Sequence, residues 1–228
     1  MPTAPDRAAA GLALDHVFVC TTPDGPEAAM LADLGLVASY RRAHPGQGTA
    51  NACWCFDNAY LELLWAAPET GPVDPTVRRT RLAERIAWRE TGASPFGIAV
   101  RTEPADAPLP FETWAYRPPY LPPGLSIPVA VDSDDPRRPF VFRSPGSARP
   151  DAWTDGRAGD RQRAEGLGEI TGLHLSLPDE PAPGPALETL AAAGLLTLET
   201  GARTPRLDLA IARRDGGAPL VVSLPAPG

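Results

Sequence analysis

Apolar and polar residues alternate in short runs along most of the chain, and three stretches carry a helical period. Leu14-Asp-His-Val-Phe-Val-Cys20 reads as a strand with His16, Phe18 and Cys20 on one face. Pro26 to Gly35 follows as an apolar-periodic helix, opened by proline and closed by glycine. Asn51-Ala-Cys-Trp-Cys-Phe56 and Tyr60-Leu-Glu-Leu-Leu-Trp65 flank Asp57-Asn58 and predict a hairpin with a two-residue turn. That turn sets Cys55 opposite Tyr60 and Cys53 opposite Glu62. Strict alternation then places Tyr60, Glu62 and Leu64 on one face. A carboxylate inside such an apolar run needs a cation, a metal or a proton, unless its face is wet.

The opening pattern returns late in the chain. Ile170-Thr-Gly-Leu-His-Leu-Ser-Leu177 carries His174, and a second helix runs from Pro185 to Gly194. His16 precedes its helix-closing glycine by 19 residues and His174 precedes its own by 20. Each unit continues through further strand-like segments, so the pattern predicts two βαβββ modules over residues 14–66 and 170–224. The position in the second unit that corresponds to Glu62 is Val221. His16, Glu62 and His174 therefore form a two-histidine, one-carboxylate set, sufficient for a metal site with open positions.

Residues 72–146 lie between the units and differ in character. Arg78 to Glu90 reads as an arginine-rich helix with a solvated charged face. Short strands follow at Phe96–Val100, Trp114–Tyr116, Ser126–Val131 and Phe140–Arg143, with paired prolines around Tyr120. This block is a degenerate module or a lid. Residues 1–13 and 147–168 read as flexible segments.

Leu14-Asp-His-Val-Phe-Val19, His44-Pro-Gly-Gln-Gly-Thr-Ala-Asn51, Asn58-Ala-Tyr-Leu-Glu-Leu-Leu-Trp65, Ala93-Ser-Pro-Phe-Gly-Ile98 and Tyr116 to Ser126 together resemble the vicinal-oxygen-chelate superfamily. This is the group of glyoxalases, bleomycin-resistance proteins and extradiol dioxygenases, and the likeness is closest to its glyoxalase-like-domain proteins. The resemblance implies an α+β fold, with paired βαβββ modules curled into a half-open mixed β-barrel, helices outside and a proline-rich central insertion. It implies a divalent metal (Fe2+, Mn2+ or Zn2+) held by the first and last strands of the modules, here His16, Glu62 and His174. Val221 departs from the four-ligand glyoxalase pattern, which leaves a set closer in type to that of the extradiol dioxygenases.

Two functions follow from this likeness. One is a metal-dependent lyase, isomerase or dioxygenase acting on a small substrate with vicinal oxygens. The other is a metal-free protein that binds a small molecule, an antibiotic or a metabolite. A partner-binding role using the fold alone is the third reading. Glu62 and His44 are the candidate catalytic residues, although His44 also reads as an exposed loop histidine. Tyr60, Cys53, Trp114, Arg117 and Tyr120 are candidate substrate contacts, with Arg117 offering a donor fork to an anion and proline–aromatic packing as the other account of Arg117 and Tyr120.

Composition narrows the classes. A formal charge of −7 with no basic run argues against nucleic acid. All 21 basic residues are arginine, which excludes lysine Schiff-base chemistry. Cys20, Cys53 and Cys55 are odd in number and poorly spaced for a disulfide, so they read as reduced, buried and cytoplasmic. The opening Met1-Pro-Thr-Ala-Pro-Asp-Arg lacks a signal-peptide plan, and no stretch approaches a membrane span. The expected partners are a small molecule and a second copy of the chain in a homodimer.

Overall fold

A computed structural model describes residues 11–226. The first unit folds as strand β1 (Leu12–Cys20), helix α1 (Pro26–Asp33), and strands β2 (Tyr40–His44), β3 (Thr49–Cys55) and β4 (Tyr60–Ala66). Proline opens α1 and Gly35, at φ +81°, follows it in the left-handed conformation that glycine tolerates best. The β3–β4 register is the expected one, with Cys53 opposite Glu62 and Cys55 opposite Tyr60. β4 pairs parallel to β1 and leaves β2 at the edge.

Two short helices, α2 (Leu82–Ile86) and α3 (Trp88–Thr91), lead into strands β5 (Phe96–Thr102), β6 (Thr113–Tyr116), β7 (Ile127–Ala130) and β8 (Phe140–Arg143). These four repeat the wiring of the first unit: β8 lies parallel to β5, then come β7 and β6. β5 pairs antiparallel to β1 and joins the two halves in one eight-stranded sheet, ordered β2-β3-β4-β1-β5-β8-β7-β6. The middle block thus carries four strands in the same order as those of the first unit. The sheet curls without closing into a full barrel. Its open side is bridged where Tyr116 Oη on β6 donates to Gln47 Oε1 in the β2–β3 turn, at 2.8 Å.

The C-terminal segment comprises strand β9 (Leu167–Leu177), helix α4 (Pro185–Ala192) and strands β10 (Thr197–Thr200), β11 (Arg206–Arg213) and β12 (Leu220–Leu224). It does not pair with the first unit as sequence spacing suggests. It forms its own four-stranded sheet, ordered β10-β9-β11-β12. Its first strand lies between its second and third, whereas β1 lies beside β4. The short connection 193–196 drops β10 directly beside β9, in parallel. In the first unit the longer connection 34–39 carries β2 away from β1 and leaves that edge to β4.

The two sheets share one core. Val17, Val19, Leu61, Leu63, Phe96 and Ile98 on the outer face of the large sheet belong to a cluster with Leu173, Leu175, Leu177, Leu207, Leu209 and Leu224. Leu31 of α1 and Leu187 and Leu190 of α4 complete it, each buried leucine contributing about 1.5–3 kcal/mol. α4 is seated on the middle block: Ala186 N donates to Asp132 Oδ2 at 2.9 Å, and Arg138 Nε to the Ala182 carbonyl at 3.0 Å.

Arg85 overturns the reading of residues 78–90 as a uniformly solvated charged face. It is fully buried, and its guanidinium donates to the carbonyls of Ser133 at 2.8 Å, Pro136 at 3.0 Å and Arg138 at 2.5 Å. Burial lowers its pKa to about 10, which leaves it charged at neutral pH. Residues 147–168 are likewise tied down: Gln162 exchanges hydrogen bonds with the Val37 backbone, and Arg161 pairs with Asp57 at 3.0 Å. Residues 1–10, including the segment judged for a signal peptide, lie outside the described residues. No described helix is long and apolar enough to cross a membrane.

Candidate functional site

The concave face of the large sheet is built in rows set by strand register. One row runs Cys55, Tyr60, His16, Ala99, Phe142. The next runs Tyr40, Cys53, Glu62, Phe18, Gly97, Phe140. Gly97 leaves room for a ring, since a Cβ there would sit 2.0 Å from Phe18 Cε1. These rows floor a cavity of about 360 Å³, whose walls include Tyr120, Leu121, Trp153 and Phe142.

His16 and Glu62 meet on this floor as diagonal neighbours, with Nε2 3.6 Å from Glu62 Oε2. His16 Nδ1 lies 2.6 Å from Asp15 Oδ1. A carboxylate accepts only, so Nδ1 carries the proton and Nε2 is the atom left facing Glu62. Neighbouring residues of a regular strand point to opposite faces, yet Asp15 and His16 line the same cavity. A bulge explains this: the β1–β5 register shifts by one between Leu14 and His16, which makes Asp15 the extra residue and re-aims it. Arg101 closes the chain with 3.1 Å to Asp15 Oδ2. Burial works against the charge of Asp15, but His16 and Arg101 outweigh it and hold the carboxyl below its ordinary range.

The imidazole of His16 stacks on Tyr60 at 4.3 Å and meets the edge of Phe142 at 5.4 Å. Asn51 Nδ2 donates to Glu62 Oε1 at 2.7 Å. Tyr40, Tyr60 and Trp153 form an aromatic corner, with Tyr60 and Trp153 5.7 Å apart. At the opposite rim His44 is buried, its Nδ1 2.9 Å from Thr49 Oγ1 and its ring 4.9 Å from Tyr120. It is not the exposed loop histidine of the other sequence reading. Burial pushes the pKa of His44 down, opposed by Glu62 and reinforced by Arg42. Burial also raises the Tyr120 phenol to about 12.

The candidates named from sequence are therefore divided. His16, Glu62, Tyr60, His44 and Tyr120 line the cavity. Cys53 is fully buried behind Glu62 and is not part of the lining. Trp114 lies outside the lining, beneath the Arg79 guanidinium at 4.3 Å, and Arg117 is exposed outside it. His174 departs most. Leu173, Leu175 and Leu177 face the core of the second sheet, so alternation turns His174 to solvent, where it contacts Thr197 Oγ1 at 2.8 Å and Glu199 Oε2 at 3.3 Å. Val221 is 52% exposed on β12, so it is not the empty ligand position either. Asp15, Asn51, Tyr40 and Trp153 were missed. Asn51 stood within a quoted motif, but neither the bulge nor the fold of residues 147–168 has a periodic signal.

The divalent ion that the resemblance implies does not fit this donor set. The large sheet supplies His16 and Glu62 from its first half, while the facing strands β5 and β8 present Gly97, Ala99, Phe140 and Phe142. Among the described residues no three His, Cys, Asp or Glu side chains are grouped to hold a metal. An open catalytic site of this kind draws on about three protein ligands.

Residues 14–109 match the family model described as a glyoxalase-like domain, a domain type of the vicinal-oxygen-chelate superfamily. The match spans the first unit and reaches through β5. No curated protein matches the chain. Among solved structures, a triple mutant of 4-hydroxymandelate synthase from Streptomyces coelicolor is similar at 13% identity and a TM-score of 0.41, covering 93% of this chain and 62% of that one. The chain thus spans less than two thirds of that relative, and a likeness at this level says nothing about activity.

Proposed function

We propose that the chain binds a small molecule with an apolar body and a polar end in the concave cavity, and that His16 acts on the polar end as a general base beside the Glu62 carboxylate. The observation that carries this reading is the line Arg101–Asp15–His16–Glu62 at the floor of an aromatic cavity. Asp15 fixes the tautomer of His16 and turns Nε2 inward, as an orienting carboxylate does for a general base. The 3.6 Å between Nε2 and Oε2 is long for a direct hydrogen bond, so a ligand hydroxyl or amine can bridge the two groups. Tyr60 and Phe142 hold the imidazole plane and keep water from its faces. A proton taken from the ligand by Nε2 can be returned by the same nitrogen to another atom of the ligand, with the Glu62 carboxylate stabilising the imidazolium between the two transfers, which is the requirement of an isomerase.

Binding without turnover is the second reading, favoured by the apolar half of the cavity. Both are separated from a metal enzyme by one experiment. One- and two-ring compounds are screened for binding to the full chain with and without EDTA, then against Glu62→Gln and His16→Gln. The expected result is binding indifferent to EDTA and weakened roughly tenfold, about 1.4 kcal/mol, by each substitution. Loss of binding on chelation would overturn the metal-free site. Hits that ignore both substitutions would show that the cavity floor is not the site.

A further inference from the structure

One carboxylate oxygen on the cavity floor has no close partner. Asn51 is 5% exposed, and its Nδ2 must be the atom that donates to Glu62, because a carboxylate cannot donate. That bond holds Glu62 Oε1, while the amide oxygen is turned into the protein, out of reach from the cavity. Glu62 Oε2 lines the cavity with only the long contact to His16, which leaves it open to a ligand that brings a donor.

Arg42 sits directly across the β2–β3 ladder from Asn51. It lines the cavity, lies 5.2 Å over the Tyr120 ring and has no ion pair among the described residues. A guanidinium fork, a carboxylate and an aromatic corner therefore occupy one wall, in that order. Resting on the reading above, we infer that the ligand is a zwitterionic aromatic molecule of amino-acid type. Its carboxylate meets Arg42, its ammonium donates to Glu62 Oε2, and its ring packs against Tyr60 and Trp153. The fork geometry suits a carboxylate, and the ammonium pairs with the carboxylate of Glu62. A cavity of about 360 Å³ has room for one or two rings.

Isothermal titration of the full chain tests this with L-phenylalanine, L-tyrosine and L-tryptophan, against 3-phenylpropanoate, which lacks the ammonium, and 2-phenylethylamine, which lacks the carboxylate. At least one amino acid should bind roughly tenfold tighter than either truncated probe. Arg42→Gln, at an exposed position that folding does not require, should weaken the amino acid about fivefold and leave 2-phenylethylamine unchanged. Glu62→Gln should weaken the amino acid and the amine but not the acid. Equal affinity for a truncated probe, or an Arg42→Gln variant that binds all probes like the parent, overturns the inference. Binding of neutral indole alone also overturns it, while leaving the aromatic cavity in place. Failure of every ring compound to bind overturns the reading beneath it.

Discussion

The two halves of the large sheet share one wiring and carry opposite chemistry. In the first half the concave face presents Asp15, His16, Asn51, Tyr60 and Glu62, joined by hydrogen bonds and a stacked ring. In the second the same face presents Gly97, Ala99, Val129, Phe140 and Phe142. Strand topology and site chemistry are thus separable, since register decides which positions face the cavity and not what stands there. The asymmetry gives the cavity a direction, with hydrogen-bonding and charged groups at one end and an apolar surface at the other.

The two halves are stabilised differently, and substitutions can separate them. The largest effect is expected in the second half. Arg85→Ala removes the buried guanidinium from the carbonyls of residues 133–138 and leaves them unsatisfied, a loss of about 3–5 kcal/mol in urea unfolding. A loss below about 1 kcal/mol would mean that water replaces the arginine freely.

In the first half, Asp15→Asn breaks the charged chain to His16 and Arg101 and should cost about 2–3 kcal/mol at neutral pH. The folded-state pKa of Asp15 is depressed, so its contribution is complete above the unfolded value of about 3.9 and is lost as pH falls through the lower folded value. The stability gap between parent and variant should therefore close in acid. A gap unchanged down to about pH 2 would show that packing, not charge, is what the aspartate supplies.

The smallest effect lies at the seam between β2 and the 117–125 loop. His44 is depressed by burial, so the unfolded chain takes up its proton first as pH drops below about 6.5. Stability should then decline between about pH 7 and pH 5 in the parent, while His44→Gln stays nearly flat over that range, as followed by melting temperature. Equal slopes would place the titrating group elsewhere.

Much of the first unit was legible because local rules agree there. Proline and glycine bracket α1, a two-residue turn sets the β3–β4 register, and alternation puts Tyr60 and Glu62 together. His16 was legible as a buried strand histidine. Asp15 was not, because it obeys a bulge that only pairing with β5 creates. His174 was misread for a related reason. Its spacing to Gly194 imitates that of His16 to Gly35, but β1 is covered on both faces and β9 on one, so the same local pattern ends in core at one site and in solvent at the other. Trp153 and Gln162 sit in a segment whose glycine, arginine and aspartate content reads as a loop, and the contacts that order it are with residues more than a hundred positions away.

What the sequence by itself determined is the elements of the first unit, the turn between β3 and β4, the shared face of Tyr60 and Glu62 and the absence of lysine chemistry. These depend on period, turn residues and composition, which act over a few residues. Only the tertiary structure decided which module pairs with the first, which face each histidine takes, and that Asp15, Asn51 and Trp153 join the site. Those outcomes rest on strand partners and connection lengths. Contacts between distant segments choose among arrangements that local energies leave nearly equal.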